Sequence, residues 1–291
     1  MSIATKQNDD WSIKLLRAQR RSYNLAKRFA LVDKALMFLS LISPAIIIYA
    51  DRLQSIKTIT IWTFVLIILS IVVKRFIKAH TNNGAIIQEM FDTRLFGLEW
   101  NDILIPKPIL DSDIVSLSKK QDDKFLLNWY PVEIDQVPNK DVQILLCQRS
   151  TMAWDANIKA RFILVYMLLF VLYYLLYIVI GTKNDLNLYE IILFAAPSFS
   201  FMRTSITEMI EISKQVQRQR EVIQRTSNVI EKYSLDQHVE IKNSTLRQVQ
   251  DSIYLNRVSR AKVPNWLYWL FRTDDENSMK MTVDSIVHKN K

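Results

Sequence analysis

Cysteine is nearly absent: Cys147 stands alone among 291 residues. An intramolecular disulfide and a cysteine-based metal site are therefore excluded, and this usage suits a reducing cytoplasm. Glycine is almost as scarce, with Gly84, Gly97 and Gly181 the only three. Turn-rich all-β architectures draw heavily on glycine, so a mostly helical chain with few loops is expected. His80, His238 and His288 are isolated from one another, and no carboxylates recur at metal-site spacing. The P-loop, the dinucleotide fingerprint, HExxH and GxSxG are all missing. These absences argue against an enzyme, and no catalytic residue, metal or cofactor is expected. Glu89 and Asp92, three apart, are expected on a solvated helix face. The opening residues, MSIATKQNDDW, lack the apolar core of a signal peptide, so membrane insertion is expected to depend on internal segments.

What the chain has instead is hydrophobic length. From residue 162 to 180 no charge, proline or glycine interrupts the sequence. At ~1.5 Å per residue such a helix is about 28 Å long, close to the ~30 Å hydrocarbon core of a bilayer. Tyr173, Tyr174 and Tyr177 bring to its end the amphipathic rings favoured at a lipid–water boundary. Three shorter apolar blocks accompany it, at 35–50, 59–73 and 188–202. Pro44 is expected to kink the first. The last holds Glu190 and Pro197, and it reads either as a span or as a re-entrant segment. The loops between paired blocks carry only Arg52, Lys57 and Lys183, whereas the opposite flanks carry the cations from Lys14 to Lys34, then Lys74, Arg75, Lys78, Lys159, Arg161, Arg203, Lys214, Arg218 and Arg220. By the positive-inside rule both termini and the 74–160 segment face the cytoplasm.

The expected class is thus all-α, a membrane protein with four transmembrane helices in two hairpins and cytoplasmic helical extensions. Its parts are an amphipathic cytoplasmic helix within 1–34, a hairpin over 35–77, a cytoplasmic helical segment over 78–160, a second hairpin over 161–203 and cytoplasmic helices over 204–291. The net charge of +9 favours an anionic partner, either lipid headgroups or phosphate. On the 11–30 helix one face is basic, with Arg20 and Lys27 at its margin. That face is either solvated or placed to rest on headgroups or hold a phosphate ligand. Gly97 reads as a helix stop and Asn139 as the cap of a helix running into the third span. Prolines between 105 and 138 mark a connector with one or two short helices.

After the fourth block, Met202, Met209, Val216, Ile223 and Ile230 recur every seventh residue. The stripe is either a face packed within the chain or a weak oligomer seam, since its other heptad core position is polar. Leu246, Val249 and Ile253 line a last helix. The aromatic block at 266–271 is far too short to span, and it either packs into the cytoplasmic core or anchors at the interface.

Several short stretches form a recognisable series: QEMFDTRLFGLEWN (88–101), NWYP (128–131), CQRSTMAWD (147–155), SIYLNR (252–257), VPNWLYWLFR (263–272) and Asp275–Glu276. Their order around four hydrophobic blocks resembles the SMODS-associated four-transmembrane family, bacterial effectors that accompany second-messenger oligonucleotide synthetases. The resemblance covers nearly the whole chain. It implies an antiphage effector of the bacterial inner membrane, with a cyclic oligonucleotide or dinucleotide as ligand and the lipid bilayer as target. Assembly into a homo-oligomer that permeabilises the membrane is also expected, and direct binding of nucleic-acid polymers is not. The competing reading is a constitutive transporter or scaffold subunit. Against it, few polar residues fall within the spans and the two hairpins show no clear repeat.

A nucleotide needs guanidinium groups for phosphate and aromatic faces for bases. Two of the family-like stretches supply both: Arg94, Trp100 and Asn101 in one, Arg149, Trp154 and Asp155 in the other. The alternative is that these residues tie helices together through internal pairs such as Arg149–Asp155 or Arg94–Asp92. For the pore wall the fourth block is expected, through Glu190, Ser198 and Ser200, with freed carbonyls near Pro197. A bland alternative places Glu190 at the outer interface.

Overall fold

Residues 1–50, 53–119, 125–183, 187, 188, 199–236, 240–259, 263, 266, 267, 270, 271, 277, 280 and 281 are described in the computed structural model. Side chains at 40–50, 53–60, 63, 177, 180, 181 and 199–201 are not among those described. Glu190, Pro197 and Ser198 lie outside the described residues, and Ser200 is placed only by its backbone.

Every regular element described is helical. Four helices are long: α2 (Asp10–Ala50), α3 (Leu53–Phe96), α5 (Lys140–Lys183) and α6 (Phe199–Leu235). The short ones are α1 (Ile3–Lys6), α4 (Asp111–Ser118), a 3₁₀ turn at Val132–Gln136 and α7 (Asn243–Val258). The amphipathic N-terminal helix and the first apolar block, expected as neighbours, are one 41-residue helix.

The long helices pair antiparallel. Along α2 and α3, Ser70 Oγ donates to Asp33 at 2.5 Å, Phe29 stacks on Phe76 at 5.2 Å, and Tyr23 Oη donates to Gln88 at 3.4 Å. The partner number climbs as the first falls, as in a hairpin. The second pair repeats the pattern with Tyr166–Ser205, Asp155–Gln219 and Arg149–Ser227.

Each pair changes character along its length. At one end α1, the first half of α2, the second half of α3, the first half of α5, the second half of α6 and α7 enclose a shared apolar core around Leu16, Phe91, Leu145 and Leu246. The N-terminal residues and α7 therefore sit at the same end of the molecule. At the other end large apolar side chains stand bare along α3 from 61 to 72 and along α5 from 164 to 179, Phe64 at 65% and Leu168 at 60% exposure. Exposed apolar faces of that extent mark a surface met by something other than water. Among the described residues one helix stretch, Lys140–Leu176, is long and apolar enough to cross a bilayer, and only 17% of its most apolar window is buried.

Two helix ends follow their sequence signals. Gly97 has φ +73°, and the Leu98 and Gly97 amides both reach Thr93 O, at 3.1 and 2.9 Å. Glycine takes this left-handed position without a Cβ penalty, and the last turn of α3 closes on it. Asn139 Oδ1 accepts from the Asp141 and Val142 amides at 2.8 and 3.3 Å, capping α5.

The heptad stripe packs partly inside the chain: Val216 and Ile230 are buried and Met202, Met209 and Ile223 half-buried, with Gln215, Gln219 and Thr226 buried on the same side. In the last aromatic block Leu267 is fully buried with Ile158, Phe162 and Ile212, and the Arg161 guanidinium lies 4.3 Å from the Phe271 ring centre. Trp266 and Leu270 stay exposed beside them.

Candidate ligand-binding site

Where the two hairpins meet at the globular end, a cavity of about 550 Å³ opens between them. Helix α2 supplies Arg20, Tyr23, Asn24 and Lys27, which fall at i, i+3, i+4 and i+7 and so share one helix face. Facing them are Phe125 and the Leu127–Glu133 segment, Trp154 and Asp155 of α5, and Asn256 and Arg257 of α7. Gln219 of α6 and Lys280 complete the rim.

The 125–133 segment holds its shape through the N-terminus. Gln7, fully buried, donates to Tyr130 O at 3.0 Å and accepts from Tyr130 N at 2.7 Å, mimicking a strand partner. Asn8 repeats this on Asn128: its Nδ2 donates to Asn128 Oδ1 at 2.8 Å and its Oδ1 accepts from the Asn128 amide at 2.9 Å. Phe125 and Asn128 have φ +63° and +52°. Asparagine tolerates that region, but for phenylalanine it costs free energy, and such residues gather at ligand sites.

Beneath the cavity lies a charged floor. Arg257 pairs with Asp92 at 2.6 Å and approaches Glu89 at 3.8 Å, while Arg247 pairs with Glu89 at 2.6 Å and with Asp251 at 2.8 Å. Gln250 donates to both Glu89 and Asp92, and Tyr130 Oη donates to Asp92 at 3.2 Å. Glu89 and Asp92 are 0% and 1% exposed, which corrects the expected solvated face. Burial wins at Glu89 and lifts its carboxyl above the ordinary range despite Arg257. At Arg257 the opposite holds: burial pulls its pKa down, but Asp92, with Tyr23, Tyr130 and Glu89, more than offsets it. Burial, then Asp92, raises the Tyr130 phenol well above its usual value. A buried ion pair of this kind adds little net stability, whereas removing one partner leaves an uncompensated buried charge.

Of the six residues expected to bind ligand, Trp154 and Asp155 line the cavity. Asp155 pairs with Lys159 at 2.7 Å and accepts from Gln219 at 2.7 Å. Arg149 is turned toward α6, donating to Ser227 at 2.7 Å, and burial lowers its pKa. Arg94 pairs with Asp9 at 2.6 Å, rather than with Asp92, and its carbonyl accepts from Lys6. Trp100 packs near Ile86, Ile105 and Tyr254, its buried Nε1 without a hydrogen-bond partner. Asn101 donates to Asp251 at 3.0 Å and caps the following turn at Ile103 and Leu104. These four hold the walls and do not reach the cavity.

The cavity residues missing from that expectation left traces in the sequence. Arg20 and Lys27 sit on the basic margin of the first helix, Trp129 in NWYP, and Asn256 and Arg257 in SIYLNR. Phe125 left none. Among the described residues no group of three or more histidine, cysteine or acidic side chains is placed to hold a metal.

The model of the SMODS-associating 4TM effector domain matches residues 1–286. The chain belongs to that family. A Bacillus cereus (strain VD146) protein described as a probable CBASS effector molecule is 30% identical over 285 residues, covering 94% of each chain. No solved structure matches. Both matches take in the globular end and the apolar helices together.

Proposed function

We propose that the protein is an antiphage effector of the bacterial inner membrane, switched on by a cyclic nucleotide that binds the cavity between the hairpins. One observation carries this: cations and aromatic rings line a cavity to which α2 and α5 both contribute, and both helices run on into exposed apolar stretches, with Phe38 on α2 and Leu168 on α5. A ligand drawing α2 toward α5 and α7 changes the angle at which the hairpins leave the globular end. Relatedness to a probable CBASS effector supports the defence setting.

In this reading both termini and the globular end are cytoplasmic, since the lysine- and arginine-rich flanks cluster there. Two hairpins are too few helices to line a water-filled hole and also cover its lipid face, so permeabilisation requires self-association through the membrane segments. Glu190, Ser198 and Ser200 of the fourth apolar block remain the pore wall we propose. The test is dye release from liposomes holding the purified protein, with and without a cyclic nucleotide panel. Release dependent on nucleotide is expected. Equal release in its absence would indicate a constitutive channel or transporter instead.

A further inference from the structure

Two oxygens of the cavity wall lack what a folded chain ordinarily gives a buried polar atom. Glu133 and Gln219 both line the cavity. Glu133 Oε2 and Gln219 Oε1 are shut off from solvent, and neither has a hydrogen-bond partner. Leaving a buried acceptor unbonded costs free energy, so each one calls for a reason.

The fold holds both side chains in place. Glu133 stands in the 3₁₀ turn Val132–Gln136, between Tyr130, whose amide is bound by Gln7, and Ile134, which is buried. Gln219 is 1% exposed, and its Nε2 donates to Asp155 at 2.7 Å. An ionised Asp155 accepts only, so turning the amide over would set oxygen against oxygen. Oε1 is therefore the atom left without a donor.

Both open positions accept and neither donates, which decides the part of a nucleotide that can complete them. Phosphodiester oxygens only accept, and a carboxylate repels them. The donors of a cyclic nucleotide are its base N–H groups and its sugar hydroxyls. A carboxylate is met best by two N–H groups side by side. Of the four common bases only guanine presents such a pair on its Watson–Crick edge, N1–H beside the N2 amine. Adenine sets its N6 amine next to the N1 acceptor, cytosine sets its N4 amine next to N3, and uracil encloses N3–H between two carbonyls. Each of those three turns an acceptor toward the carboxylate.

We infer that Glu133 reads a guanine through N1–H and the N2 amine, with Gln219 Oε1 as a further acceptor, so the ligand of this cavity carries at least one guanine. This rests on the nucleotide-gated reading above and adds the base to it. A site whose buried acceptors one base completes rejects a base that leaves them open more strongly than an apolar slot does.

The experiment is calorimetric titration of the full-length protein in lipid nanodiscs with cyclic di-AMP, cyclic GMP–AMP, cyclic di-GMP, cyclic tri-AMP and cyclic AMP–AMP–GMP. The tightest binder should carry guanine and should bind at least tenfold tighter than the all-adenine ring of its own size. Its hypoxanthine analogue, which lacks only the 2-amino group, should bind at least tenfold more weakly. Glu133→Gln should reduce the preference for guanine over hypoxanthine to threefold or less, without lowering the melting temperature of the free protein. Glu133→Asp, which keeps the carboxylate, should retain part of that preference. An all-adenine ring binding as tightly as any guanine-bearing one overturns the inference and leaves nucleotide gating intact. So does an undiminished guanine preference in Glu133→Gln. Equal affinity for guanine and hypoxanthine, with the loss falling instead on 2′-deoxy analogues, would move the contact to the sugar and overturn it too. Failure of every probe to bind, with liposomes leaking equally in their presence and absence, overturns the gating reading and this inference with it.

Discussion

Asp92 and Glu89 show how one pair of residues is misjudged from spacing alone. Two acids three apart on a helix are ordinarily solvated, and nothing local marks these as buried. Their partners Arg247 and Arg257 lie more than 150 residues downstream, so the pairing exists only in the folded chain. Separations of 85 and 78 residues likewise hid Arg94–Asp9 and the use of Arg149 on Ser227. Two predictions belong here. Glu89 has a raised pKa in the fold. Between its ordinary value and the raised one the folded chain binds more protons than the unfolded chain, so its contribution lowers stability as pH rises through that window. Glu89→Gln should flatten that limb of the melting-temperature profile relative to the parent protein. An identical slope in both would assign it to another group. Separately, Trp154→Ala should abolish nucleotide binding, whereas Arg149→Ala should leave affinity within about threefold. By removing a hydrogen bond to a charged donor, the Arg149 change should cost about 1.5–3 kcal/mol of stability. Comparable loss of affinity in both variants would return Arg149 to the binding site.

Elements were more legible than side-chain partners. Helix stops and starts are written locally, so Gly97 and Asn139 mark the ends of α3 and α5 where the sequence puts them. Gly97→Ala forces a Cβ into the left-handed region and should cost about 1–2 kcal/mol. Asn139→Ala should cost about 1 kcal/mol through the lost cap. Both are read from thermal melts of the detergent-solubilised protein, and a Gly97→Ala variant as stable as its parent would show that α3 ends elsewhere. The stripe from Met202 to Ile230 was legible as a periodic face, but periodicity does not say what covers it. Beside it Gln215, Gln219 and Thr226 are buried: Gln219 donates to Asp155 of α5 and Gln215 to Ser259 O just past α7, whereas Thr226 bonds Val222 O of its own helix. The cavity had no single element to announce it. Its wall is assembled from α2, α5, α7 and the connector, and the i, i+3, i+4, i+7 face of Arg20, Tyr23, Asn24 and Lys27 looks from sequence like any basic flank.

At the scale of the whole molecule the two ends obey different solvents. The globular end buries Phe91, Leu145 and Leu146 to completion and answers to water. The other end leaves Phe64 and Leu168 bare, as apolar surface that meets lipid does. The boundary falls near Asp33, whose carboxylate accepts from Ser70, and near Phe162, with Lys34 lying 5.8 Å from its ring centre. Charged groups stop at that level on α2 and α5 alike, as snorkelling cations and paired acids do at an interface. Topology is therefore testable with single cysteines and an impermeant thiol reagent on intact cells. Cys147 can stay in place: it is 1% exposed, and burial, then Asp92, pushes its thiol well above the usual value, so it contributes no thiolate to label. Gln54→Cys and Asn184→Cys should react from outside, whereas Lys242→Cys and Asn277→Cys should react only after the membrane is opened. Gln7 is unsuitable, because its buried amide holds Tyr130. External labelling at 242 and 277 with none at 184 would mean that the third apolar helix enters the membrane from the opposite side. External labelling at 184, 242 and 277 together would mean that the fourth block fails to cross, which would remove Glu190, Ser198 and Ser200 from any pore wall.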